Sequence, residues 1–156
     1  PYAYNYLRSC YEILAQRDKG RTEKYPAWYA YGRTQSLQMP RYKLFFPKIA
    51  NKALHCELVD DKDLLLYNGM AFVSDDETIV MVLKAILESN IFWKYVVLNS
   101  KPYASGYYSL NGMNIKHFGI PAFKEDEKRH LLELADSEKI NNWLEGFYKG
   151  DLCSKK

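Results

Sequence analysis

Residues 26–37, PAWYAYGRTQSL, place Trp28, Tyr29 and Tyr31 ahead of Gly32, and then Arg33, Thr34, Gln35 and Ser36 before the next apolar side chain, Leu37. The polar group is the part that could do chemistry. A guanidinium fits guanine O6 and N7, a carboxamide fits adenine N6 and N7, and serine or tyrosine hydroxyls reach either base. Tyr31, Arg33, Gln35 and Ser36 are therefore candidate base-edge contacts. The alternating aromatics also fit a strand with one face in a core, and Trp28 is expected to pack there.

Two further segments carry the same kind of side chain. In KPYASGYYSL, residues 101–110, Lys101, Tyr103, Ser105, Tyr107 and Tyr108 surround Gly106, which allows either a close backbone approach to a phosphate or a bulge. Around LFFP, Lys43 and Lys48 suit a phosphate backbone or a solvated edge strand, and Arg41 follows Pro40 in a loop. The net charge of +3 is unevenly spread: residues 1–55 carry ten Lys/Arg against three Asp/Glu, and 56–98 carry three against eight. Residues 99–124 carry three basic side chains and no acid, and 125–156 carry six against eight. Two basic stretches are what a polyanion-binding face requires.

Other chemistries find less support. There is no Gly-rich phosphate loop, HExxH, GxSxG or GxGxxG. His55, His117 and His130 have no spaced partner, and Cys10, Cys56 and Cys153 are odd in number and far apart, so no metal site or disulfide framework is expected and a reducing cytoplasm is. Asp60-Asp61-Lys62 and Asp126-Glu127-Lys128 match half of a metal-dependent nuclease centre, but residues 25–56 hold no upstream aspartate to share the cation. Residues 60–63 are read as a solvated turn. The longest apolar run, 79–87, is broken by Lys84 and is far short of a membrane span.

The elements that must position these residues read as α+β. Leu7, Cys10, Tyr11 and Leu14 predict a helix from Tyr4 to Arg17, ending at the turn RDKG. AWYAYG, KLFFPKIA, ALHCELV, DLLLY and MAFV predict short antiparallel strands, and Asn68-Gly69 a tight hairpin. Ser74 with Glu77 has capping-box spacing ahead of an almost wholly apolar helix, expected to be central. IFWKYVVLNS continues as a second, shorter helix or a broken extension of the first, and YASGYYSL and NIKHFGIPAF follow as strand and loop. Two amphipathic helices close the chain, using Leu131, Leu134 and Ala135, then Ile140, Trp143, Leu144 and Phe147 after a cap at Asp136 or Ser137. One domain over 1–156 is expected. The start at Pro1 without methionine suggests a piece of a longer polypeptide.

An ordered set of segments carries a resemblance: PYAYNYLRSCYEILAQRDKG, YPAWYAYGRTQSL, YKLFFPKIA, LNSKPYASGYYSL and FGIPAFKEDEKRHLLELADSEKINNWL. The chain resembles the C-terminal target-recognition region of bacterial N6-adenine DNA methyltransferases, the TaqI-like specificity domain, which also ends fused restriction-modification enzymes. The WYxxGR and LNS…GYYSL stretches are its most specific parts. The resemblance implies a DNA-reading domain that contacts double-stranded DNA and a catalytic domain of the same chain. In that family the catalytic domain binds S-adenosylmethionine and carries an Asn/Asp-Pro-Pro-Tyr/Phe motif, absent here, so no cofactor and no catalytic centre are expected in this piece. Two other readings stay open: a module that docks a partner subunit through its tyrosine-rich surface, and a small nuclease using the acidic turn.

Overall fold

A computed structural model describes residues 2–22, 25–30, 40–65 and 69–149. The chain divides into two compact units, 1–38 and 39–156.

In the first unit the expected helix forms as two pieces, α1 (Tyr2–Ser9) and α2 (Tyr11–Ala15). The break has a local cause. The Cys10 N–H turns tightly onto the Leu7 carbonyl, three residues back, and the Ser9 hydroxyl donates to the Tyr6 carbonyl at 2.7 Å, so side-chain and backbone donors compete for the last turn. After α2 a tight turn, Arg17–Gly20, runs through three left-handed residues, Asp18, Lys19 and Gly20 (φ 49°, 60° and 78°). Residues 27–30, expected as strand, form turns instead, with the Ala30 N–H on the Ala27 carbonyl at 2.9 Å. Trp28 is half-buried in an edge-to-face cluster with Tyr4, Tyr11 and Tyr29.

The second unit is built on β1 (Tyr42–Phe46), β2 (Ile49–Ala50), β3 (Glu57–Asp60) and β4 (Met70–Ser74). Strand β1 is central, antiparallel to β3 on one side and β4 on the other, with Leu44 opposite both Leu58 and Phe72. The tight hairpin expected at Asn68-Gly69 falls on residues 66–68, which lie outside the described residues. Leu64 and Leu65, just before them, are exposed and outside any strand, and β4 pairs with β1. Gly69 sits at φ 131°, where a side chain would be strained.

Helices α3 (Glu77–Leu87), α4 (Asn90–Asn99), α5 (Gly112–Lys116), α6 (Glu125–Glu133) and α7 (Ser137–Tyr148) complete this unit, with β5 (Tyr108–Ser109) between α4 and α5. Segment 112–116, expected as strand or loop, is helical and buries Ile115. Helix α3 is central, as its composition requires: Val80 and Leu87 face one apolar cluster with Leu44, Phe92 and Val96, while Val82 and Ile86 face a second with Phe123, Leu131 and Leu144. Each such side chain contributes roughly 1.5–3 kcal/mol when fully buried. The side-chain caps of α3, α4 and α7 are aspartates and a serine. Asp76, not Ser74, accepts from the Ile79 N–H at 3.2 Å and starts α3, whereas the Ser74 hydroxyl accepts from the Asp76 N–H outside the helix. Ser89 caps α4 and Asp136 caps α7. The architecture is α+β. No helix among the described residues is long and apolar enough to cross a membrane.

Candidate nucleic-acid interface

Segments 40–50 and 101–110, far apart in sequence, meet through a second, two-stranded sheet. Ile49 pairs with Ser109 and Ala50 with Tyr108. On one side of β5 the Leu110 N–H donates to the Lys48 carbonyl at 2.7 Å, and on the other the Ser109 N–H donates to the Lys101 carbonyl at 3.3 Å. The backbones of Lys48 and Lys101 therefore flank the same two-residue strand. Between Lys101 and β5 the chain doubles back. The Tyr103 N–H bonds the Tyr107 carbonyl at 2.6 Å, the Tyr107 N–H bonds the Ala104 carbonyl, and Pro102 bridges Tyr108.

Ser105 and Gly106 take φ 59° and 76° at the tip of this turn. A Cβ on Gly106 would meet nothing within 4 Å, so the glycine answers the demand for positive φ rather than a close approach. The turn presents Lys101, Tyr103 and Ser105 outward, with Tyr103 60 % exposed. Tyr107 is half-buried. Tyr108 is a packing residue at its ring, which meets Trp93 edge to face at 5.7 Å. Exposed Lys48 completes the group.

The basic residues at β1 are arranged differently. Lys43 was expected on an edge strand or a phosphate. It is buried on the central strand, 3 % exposed, with its ammonium on the carbonyls of Pro40 and Asp61. A lysine stem can run along apolar surface to bring its ammonium to such carbonyls. Arg41 makes a two-pronged pair with Asp60, Nε to Oδ1 at 2.6 Å and Nη2 to Oδ2 at 2.7 Å, lies over the Tyr42 ring, and sends its backbone N–H to Asp75 at 3.0 Å. The guanidinium holds the Asp60 carboxyl below its ordinary range, chiefly by hydrogen bonding. Asp61 accepts from the Asp63 N–H and closes a turn there, so these acids have structural partners.

Of the remaining candidates, Tyr31, Arg33, Gln35 and Ser36 lie outside the described residues. Cys56 is a core residue whose thiol burial pushes up to about 12, and its N–H and carbonyl are held by Glu88 and Lys84. Among the described residues no three His, Cys, Asp or Glu side chains gather as metal ligands would. Tyr4, Arg8 and Tyr11, of which the sequence pattern uses Tyr11 and only as a helix-face residue, line one cleft with Trp28. Their i, i+4, i+7 spacing, one face of a helix, was the available signal.

No family model matches the sequence, and neither a curated protein nor a solved structure matches the chain.

Proposed function

We propose that the chain is the DNA sequence-recognition domain of a bacterial N6-adenine methyltransferase or restriction-modification polypeptide, and that it meets duplex DNA through the surface around β5. The observation that carries the reading is the convergence of Lys48, Lys101, Tyr103 and Ser105 on one short strand pair and its turn. Lys101 lies in residues 99–124, which hold no acid. Arg33 and Gln35 supply the base-reading chemistry in this proposal, and the lysines and hydroxyls supply phosphate contacts, which orient a protein on DNA without reading sequence. Arg41 and Lys43 serve the fold and are left out of the contact set. In the parent protein a separate catalytic domain binds S-adenosylmethionine and transfers the methyl group.

Anisotropy titration of a labelled duplex with the 156-residue chain tests the proposal. The expected affinity is near non-specific strength, roughly 10⁻⁴ to 10⁻⁶ M at physiological salt, falling steeply as salt rises. Binding that ignores salt points instead to an aromatic protein-docking surface and contradicts the proposal. Methyl transfer from S-adenosylmethionine by the chain alone contradicts its assignment as the reading half.

A further inference from the structure

Tyr4 and Arg8 on α1, Tyr11 at the start of α2 and Trp28 bound a cleft of about 440 Å³, within the ~300–1,000 Å³ span of small-ligand sites. Its rings meet edge to face: Tyr11 and Trp28 have centroids 5.0 Å apart at 68°, Tyr4 and Trp28 6.3 Å apart at 64°. Tyr29 meets Trp28 at 89°. Edge-to-face packing leaves ring faces that no neighbour in the cluster stacks upon. Tyr4 and Tyr11 are about half exposed, so those faces reach solvent.

The cleft is also held in shape. Arg17 donates to the carbonyls of Trp28 at 2.8 Å, Ala30 at 3.2 Å and Leu14 at 3.0 Å, and its guanidinium lies over the Tyr25 ring. One side chain thus ties the Trp28 turn to the end of α2, and less order remains to be imposed when a ligand arrives. Arg8 is exposed and, among the described residues lining the cleft, is the one that carries a charge. A second cleft, lined by Tyr11, Glu12, Ala15, Gln16, Lys19 and Gly20, shares Tyr11 with the first. Tyr11 therefore stands between a cleft with Arg8 and a cleft with Lys19, although Glu12 partly offsets the second cation.

We propose that the first cleft takes one unpaired nucleotide of a single-stranded nucleic acid, its base against the rings and a phosphate on Arg8, with the strand continuing over Tyr11 toward Lys19. The chemistry selects this ligand. Arg8 repels a cation, an apolar ligand leaves the guanidinium unused, and a small anion leaves the rings unused, whereas a nucleotide engages both. Stacking on aromatic rings accepts any base, so the site is expected to be indifferent to sequence. It lies within residues 1–38 and does not rest on the duplex reading.

The test is anisotropy with a labelled oligothymidylate about ten nucleotides long, enough to cover one such site, run beside a labelled duplex. Y11A is expected to weaken oligothymidylate binding about tenfold, within the range for loss of one base stack. R8Q removes only an exposed charge and is expected to weaken it severalfold and to reduce its salt dependence. Duplex affinity should stay unchanged in both variants. Oligothymidylate affinity unchanged by both substitutions overturns the inference, as does an equal loss on duplex. If the chain binds duplex but not the oligothymidylate, this inference alone fails; if it binds the oligothymidylate but not duplex, the duplex proposal alone fails.

Discussion

Strand β1 and the turn that leads into β5 both draw on basic segments, and they use their basic residues in opposite ways. Strand β1 comes from the basic segment 1–55 and is inserted between β3 and β4, both drawn from the acidic segment 56–98. Arg41 therefore meets Asp60 and Asp75, and Lys43 meets the backbone at Asp61. Strand β5 and its turn come from a segment without a single acid, and among the described strands β5 pairs with β2. Lys101 makes no ion pair or side-chain hydrogen bond among the described residues. Charge counted along a chain thus overstates charge offered to a ligand, because strand pairing can lay a basic block against an acidic one.

If the contrast is right, the largest stability effect belongs to Lys43. K43M leaves two carbonyls without their donor and is expected to cost about 2 kcal/mol, whereas K101M should stay within about 0.5 kcal/mol, both read from urea midpoints. Equal effects would erase the distinction between the two regions. Next comes Asp76, whose structural task is to cap α3. D76A should cost about 1 kcal/mol, and S74A less, because the Ser74 hydroxyl serves an N–H ahead of the helix. A larger loss for S74A would put the helix start at Ser74.

The smallest effect is the exposed Arg41–Asp60 pair, whose signature is pH dependence. Asp60 is lowered in the folded state, so its contribution is present above the ordinary carboxyl value, about 4, and is lost as pH falls through the lowered one. The stability gap between wild type and R41Q should accordingly narrow between pH 7 and about pH 3. A gap that widens toward acid contradicts the pairing.

Local patterns made much of this fold legible. The apolar run of α3, the spacing of Ile140, Trp143, Leu144 and Phe147 on α7, and the strands around LFF and MAFV could be read directly, because periodicity and caps lie within a few residues of one another. Failures occurred where distant groups decided. Residues 27–30 look like a strand, but Arg17, about ten residues earlier, holds the carbonyls of Trp28 and Ala30 in a turn. Strand β4 finds its partner in β1, a non-local pairing that no local pattern encodes. The alternation of Tyr42, Leu44 and Phe46 sends Lys43 to the opposite face, where solvent was the natural reading. What faces it instead is the backbone around Asp61, delivered by β3. At the candidate interface, YASGYYSL reads as a strand, whereas only Tyr108–Ser109 is one and Ala104–Gly106 turn; the meeting with Lys48 depends on the β2–β5 pairing.

The most direct test of the contrast is the salt dependence of duplex binding in wild type, K101A and R41A. Neutralising one phosphate contact should reduce the slope of log affinity against log salt by about 1. The account predicts that reduction for K101A, with weaker binding to every sequence, and a wild-type slope for R41A, whose guanidinium is already committed to Asp60. A wild-type slope for K101A together with a reduced one for R41A would contradict it.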